Sequence, residues 1–137
     1  MNKIELLMSR NRIAELVRQS NRCGSHRNCV RMNPGSTLEH EMTKARLVFM
    51  LIAQGHEVIT EAIFTDGGRA DVLDLDTATA YEIVCSEELA SLERKAERYP
   101  EALDIVAVEP ISSAHIYKSL DHSAFKERTI RRRNAIW

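Results

Sequence analysis

Apolar positions along the chain follow two different spacings, which predict helices and strands in a definite order. They recur at roughly helical spacing over residues 2–20, with a polar interruption at SRNR, and again over residues 38–52. They form three strand-like runs, HEVITEAIF (56–64), RADVLDL (69–75) and TAYEIVCS (79–86), of which YEIVCSE alternates like a strand. A helix stopped by Pro100 and an apolar strand, LDIVAVEP, follow. The predicted order from residue 36 onward is helix, strand, strand, strand, helix, strand.

The long central helix carries the clearest signals. It begins near Ser36 or Thr37, where Ser36 can cap the first turn together with Glu39, and it ends at Gly55. On a helical wheel Glu41 borders the apolar stripe, whereas Glu39 points about 160° away from it. The predicted buried stripe consists of Leu38, Met42, Ala45, Phe49 and Ile52.

The helix between the third and fourth strands predicts a mixed sheet, because strands joined through a helix normally run parallel. The expected fold class is α/β, with a four-stranded mixed sheet and flanking helices. Residues 33–137 would form the main domain, ending in a basic C-terminal helix around SAFKERTIRRRNAIW. Residues 1–32 would form a basic N-terminal helical appendage and a loop.

Composition and charge narrow the functional class. No apolar run approaches the roughly 20 residues that span a bilayer, so no membrane partner is expected. The three cysteines and the charged N-terminus indicate a reducing cytoplasm. Residues 1–32 hold seven basic and two acidic side chains, residues 33–117 six and sixteen, and residues 118–137 six and two. This pattern is typical either of solvated surfaces or of basic ends that contact a polyanion around a cation-binding centre.

Acidic residues on neighbouring strands supply the candidate chemistry. Asp71 in the second strand and Glu82 in the third can approach within several ångström on an antiparallel pair. Their oxygens suit Mg²⁺ or Mn²⁺, which can activate water against a phosphodiester. The long helix can add a third carboxylate, for which its wheel favours Glu41. Glu61, which alternation places on the face of Ile59, is a further candidate.

Several short motifs occur in an order that is informative as a set. The helix carries E-H-x-x-x-K (Glu39 to Lys44), the strands carry GHEVITEAIF, RADVLDL and YEIVCSE, and K-x-x-x-Y (Lys95 to Tyr99) follows. Together they resemble the PD-(D/E)XK nuclease superfamily over about residues 37–110. Within it, the competence-protein-like and archaeal Holliday junction resolvase-like proteins are the most similar. The resemblance implies a restriction-endonuclease-like αβββαβ core, Mg²⁺ or Mn²⁺ as cofactor, DNA as substrate and a homodimer.

The resemblance also assigns roles to residues. It makes Asp71 the motif aspartate and Glu82 the acid of the D/E-x-K motif, both of them metal ligands. Glu39 or Glu41 would be the helix glutamate. Ser86 shares the face of Glu82 and is a candidate contact for the metal shell or for a phosphate.

The motif lysine, however, falls on Val84. That lysine orients the attacking water and stabilises developing charge, which valine cannot do. Members of the superfamily supply the lysine from other positions, and here Lys95 is the first candidate and Lys44 the second. Two hypotheses follow: a metal-dependent endonuclease or resolvase-like enzyme with a relocated lysine, or a nuclease-fold protein that binds nucleic acid or serves in assembly without turnover.

The basic tail is the candidate nucleic-acid contact. A cluster of this kind can neutralise phosphates without reading sequence, and the alternatives are a solvated surface or a dimer contact. Its members are Lys126, Arg128, Arg131, Arg132 and Arg133.

The loop CGSHRNC holds donor types that suit zinc. Its residues Cys23, His26 and Cys29 do not have a common finger spacing, and a fourth ligand is missing from the motif. Zinc is therefore not expected.

Overall fold

One mixed sheet organises the chain. The computed structural model describes residues 1–19, 26–84, 89–110 and 126–133. Over these ranges the strands run in the spatial order β1-β2-β3-β4-β5. Strands β3 and β4 are parallel, because α3 crosses between them, and the other neighbours are antiparallel. The elements are α1 (Lys3–Ala14), α2 (Leu38–Ala53), β1 (Val58–Ile63), β2 (Arg69–Asp74), β3 (Thr79–Ile83), α3 (Leu89–Ala96), β4 (Asp104–Val108) and β5 (Glu127–Arg131).

The α/β class and the mixed sheet are confirmed, but the prediction of four strands is wrong. The fifth strand occupies part of the predicted basic C-terminal helix. β5 pairs with β4, and its Ile130 packs near Val84, Leu92 and Ala107. β-branched residues favour a strand, and the free edge of β4 supplies backbone partners that a helix could not use. The remainder of the predicted tail, residues 111–125 and 134–137, lies outside the described residues.

Helix α2 buries a different side from the one predicted. It begins after Thr37, whose hydroxyl accepts the N–H of His40. Its buried apolar residues include Leu47, Val48 and Leu51, which pack with residues of β1 to β4. The predicted stripe is wrong, since Leu38, Phe49 and Ile52 are exposed. The helix has two apolar stripes, and periodicity alone does not choose between them.

Helix α1 lies on the opposite side of the sheet. It is continuous, so the expected break at SRNR is absent. Arg10, inside that polar segment, donates to both carboxylate oxygens of Asp76 and to Glu57, which ties the helix to the sheet. Ile13 and Val17 join the core on this face. Among the described helices, none has the length and apolar character needed to cross a membrane.

Candidate active site

Three acidic residues lie on neighbouring strands: Glu61 on β1, Asp71 on β2 and Glu82 on β3. β1 and β2 pair at Thr60 with Val72 and at Ala62 with Ala70, so Glu61 and Asp71 lie between these pairs without forming one. The register of β2 on β3 pairs Val72 with Tyr81, and its next step sets Asp71 opposite Glu82. The sheet itself therefore brings Asp71 and Glu82 together, whereas the carboxylate of Glu61 pairs with Lys44.

A cleft opens beside two of these acids. Its volume is about 230 Å³, and Asp71, Glu82 and Lys95 all line it. The predicted catalytic set is Asp71, Glu82, Lys95 and Glu41, and the structure places all of these except Glu41 around one space. The full lining is Gly67, Gly68, Arg69, Asp71, Glu82, Lys95, Arg98 and Tyr99.

Val84 lies outside the lining of this cleft. It is buried and packs with Leu92 of α3 and Ala107 of β4. Its N–H donates to the carbonyl of Val108 at 2.9 Å. Val84, where the resemblance implies a lysine, thus packs in the core, and Lys95 lies on the cleft wall.

The carboxylate of Asp71 is buried yet held as an anion. It is 8% exposed, and its Oδ2 accepts the backbone N–H of Ile83 at 2.8 Å. The same oxygen lies 3.5 Å from Nε2 of His40. Burial raises the pKa of Asp71, but the contacts with His40 and Ile83 outweigh burial and set the pKa below its ordinary value. Asp71 is therefore available as an anionic ligand at neutral pH.

His40 joins two acids and had no role assigned from the sequence. Its Nδ1 lies 3.3 Å from Oε1 of Glu41, and its Nε2 faces Asp71. The contact with Asp71 is the main cause that raises the pKa of His40 above its ordinary value. The signal in the sequence was its place beside Glu41 in the E-H-x-x-x-K motif, but only the fold brings Asp71 within reach.

A second ionic cluster lies under α2, next to the cleft, since Oε2 of its Glu61 is 3.6 Å from Nε of Arg69 on the cleft wall. Lys44 is fully buried, and its Nζ lies 2.7 Å from Oε2 of Glu41 and 3.0 Å from Oε1 of Glu61. It also donates to the carbonyl of Arg31 at 2.7 Å. Burial raises the pKa of Glu41, but Lys44, with smaller contributions from Asn33 and Ser36, sets the pKa below its ordinary value. Lys44 does not line the cleft described above, but its charge helps to lower the pKa of Asp71, and His40 lies between Glu41 and Asp71.

Glu61 enters this cluster because its backbone is unusual. Its φ is +50°, a left-handed conformation that costs about 1–3 kcal/mol for a residue with a side chain. Regular alternation would put Glu61 on the face of Ile59, and that expectation is wrong. The left-handed residue turns the carboxylate toward Lys44 of α2 instead.

The remaining predicted residues that the structure describes do not line the cleft. Glu39 is half-buried at the start of α2, and its carbonyl accepts the hydroxyl of Thr43. Ser86 and Cys23 lie outside the described residues, and Cys29 is exposed. Over the described ranges, no group of three or more His, Cys, Asp or Glu side chains is arranged to hold a metal ion by itself.

The basic residues of the tail differ in how exposed they are. Lys126, Arg128 and Arg132 are exposed, whereas Arg131 is half-buried. Arg131 donates to the carbonyls of Ala96 at 3.0 Å and Pro100 at 2.6 Å, which closes the end of α3. Burial lowers the pKa of Arg131.

Arg133 also has partners in the protein. Its guanidinium donates to the carbonyl of Thr77 at 3.0 Å, and its backbone N–H donates to Asp104. Arg131 and Arg133 therefore have structural partners, and their nucleic-acid contact stays a prediction.

We expect His40→Gln to change how stability depends on pH. The folded-state pKa of His40 is raised, so its contribution to stability is complete below the unfolded-state pKa and is lost as pH rises through the folded-state pKa. The free energy of unfolding of the wild-type, metal-free protein should therefore fall over that window, and the variant should lack this component. Urea unfolding in EDTA across neutral pH measures it. An equally steep decline in His40→Gln would show that another group is responsible.

The fold and the cleft define an α/β protein with a mixed sheet and a cleft lined by two carboxylates and three cationic side chains. No family model, curated protein or solved structure matches this chain.

Proposed function

We propose that this protein is a metal-dependent DNA endonuclease or resolvase-like phosphodiesterase with a restriction-endonuclease-like core. The observation that carries the proposal is the meeting of Asp71, Glu82 and Lys95 around one cleft. Two of these residues stand on adjacent strands and the third on a helix more than ten residues later in the chain, so their meeting depends on the fold.

The acids of the cleft fit Mg²⁺ or Mn²⁺. Mg²⁺ is usually held by one or two carboxylates, with water and substrate phosphates as its other ligands. Asp71 and Glu82 would be those carboxylates. When bound, the cation would supply a more acidic water and stabilisation of charge on the phosphate. A separate group of three protein ligands is not needed for such a site.

Residues of the protein would orient the metal ligands and stabilise the charge that develops in the reaction. Ile83 and His40 hold Asp71 in its anionic form and in a fixed orientation. Lys95 would take the role of the missing motif lysine, because an ammonium on the cleft wall can stabilise the charge that develops on the phosphate. Glu41 would support the site indirectly by fixing His40.

DNA is the proposed partner outside the cleft as well. Lys126, Arg128 and Arg132 are exposed on or beside β5 and can contact phosphates without reading sequence. A cytoplasmic homodimer remains our prediction from the sequence and the resemblance.

Cleavage of labelled single-stranded, duplex and branched DNA tests the proposal. We expect cleavage with Mg²⁺ or Mn²⁺ and none in EDTA. Lys95→Met should reduce the rate by about 10²–10⁴-fold, the usual contribution of a residue that transfers or orients protons. Lys3→Met, which removes an exposed lysine from α1, is the matched control and should leave the rate unchanged. A Lys95→Met protein as active as the wild type would remove the relocated lysine from the mechanism.

One observation favours a second candidate function. Val84 is packed into the core between β3, α3 and β4, so the strand has no lysine at the motif position. A protein that keeps the nuclease fold and binds nucleic acid without cutting it would have this feature. If all three DNA forms bind but stay intact with both metals, the binding function replaces the enzymatic one.

A further inference from the structure

The cleft has two more cationic side chains than the proposed catalytic residues supply. Besides the carboxylates of Asp71 and Glu82, it is lined by Arg69, Lys95 and Arg98. Cations thus outnumber carboxylates by three to two. Two carboxylates alone would repel an anion, so the extra positive charge indicates a site built to accept one.

The two arginines are available to a ligand. Arg98 is exposed, and in the described part of the chain its guanidinium has no hydrogen-bond or ion-pair partner. The side chain of Arg69 is 55% exposed, and its closest acidic contact is Oε2 of Glu61 at 3.6 Å. That distance exceeds a normal hydrogen bond, so the donors of Arg69 are not strongly engaged.

The backbones that carry these arginines are fixed against each other. The hydroxyl of Tyr99, next to Arg98, donates to the carbonyl of Arg69. The turn before Arg69 also lies close to the backbone of Arg98, because a Cβ added to Gly68 would be 2.8 Å from the carbonyl oxygen of Arg98. The ring of Tyr99 also packs edge-on against Phe64, with centroids 5.2 Å apart. The spacing of the backbones that carry the two arginines is therefore set before any ligand binds, which lowers part of the entropy cost of binding.

We propose that Arg69 and Arg98 form a phosphate clamp that holds the DNA backbone in the cleft, beside Asp71 and Glu82. Guanidinium groups suit this role because each presents a planar set of donors that can bond two phosphate oxygens at once. The identification of the anion as a phosphodiester strand rests on the proposed function. The presence of an anion site in the cleft rests on the arginines alone.

The double variant Arg69→Gln/Arg98→Gln tests the clamp through binding. Fluorescein-labelled single-stranded and duplex DNA would be titrated in EDTA at several salt concentrations and followed by anisotropy. We expect a Kd about tenfold weaker for the double variant. For the single strand, the slope of log K against log salt should fall by about 0.7 for each phosphate that the variant no longer neutralises.

Arg94→Gln is the matched control, because it removes the same charge from the exposed surface of α3 outside the cleft lining. It should leave the slope unchanged. Arg98→Gln alone keeps the test valid if the double variant does not fold, since the described structure shows no partner for that guanidinium. It should show about half of the slope effect of the double variant.

The outcomes separate the clamp from the catalytic proposal. Cleavage with an unchanged Kd and salt slope in the arginine variants would overturn the clamp and leave the nuclease in place. Weaker binding and a lower slope, with no cleavage by the wild type, would support the clamp and overturn the nuclease. An equal loss of affinity in Arg94→Gln would also overturn the clamp, because it would assign the effect to net charge.

Discussion

Replacing Asp71 by asparagine, or Glu82 by glutamine, should lower the rate of DNA cleavage by at least about a thousandfold. Each variant removes one of the two carboxylates proposed to hold the cation, and a factor of this size corresponds to about 4 kcal/mol of transition-state stabilisation. Both replacements preserve shape. In Asp71→Asn the amide oxygen can still accept the N–H of Ile83, so the strand pairing should persist.

Initial rates at saturating DNA in Mg²⁺ and in Mn²⁺ measure this effect. Glu97→Gln is the control, because Glu97 is an exposed carboxylate just after α3 and is absent from the cleft lining. It should cleave like the wild type. Cleavage that survives both Asp71→Asn and Glu82→Gln would place the active site elsewhere on the chain, even if the protein is a nuclease.

Replacing Lys44 by methionine should cost about 3–5 kcal/mol of the free energy of unfolding. Lys44 is fully buried between Glu41 and Glu61, so its removal would leave two buried carboxylates without their cation. Urea unfolding at neutral pH would measure the loss. A cost below about 1 kcal/mol would show that the cluster is relaxed or hydrated in solution.

The triple variant Glu41→Gln/Lys44→Met/Glu61→Gln separates lost charge balance from lost packing. It removes all three charges together, and replacement of a whole buried ionic cluster is often close to neutral. We therefore expect it to recover most of the stability that Lys44→Met loses. A triple variant as unstable as the single one would assign the effect to packing around the Lys44 side chain.

Much of the element order could be predicted because it depends on local patterns. Short runs rich in apolar and β-branched residues mark β1, β2 and β3, and Thr37 and Gly55 bound α2. These signals arise from interactions between residues near in sequence. The basic tail was misassigned for the opposite reason. The run ERTIR becomes a strand because the edge of β4 lies beside it, and no local pattern reports that neighbour.

The residues of the candidate site likewise divide into those that local patterns predict and those that only the fold brings together. The proximity of Asp71 and Glu82 follows from two strands that the sequence predicts and that form an antiparallel pair. Lys95 was selected through a resemblance, and its place on the cleft wall depends on how α3 crosses to β4. His40 was missed as a partner of Asp71, since a contact between residues so far apart in the chain leaves no trace in spacing.

By itself the sequence determined the class of the fold, the strands that carry the acids and the absence of a lysine at Val84. Each of these depends on residue identity or on periodicity within one element. The tertiary structure alone decided which face of α2 is buried, since that helix has two apolar stripes of similar spacing and the sheet accepts one. It also decided that Lys44 is enclosed by Glu41 and Glu61 while Lys95 stands at the cleft. Charge partners are chosen by proximity in space, which only the packed chain defines.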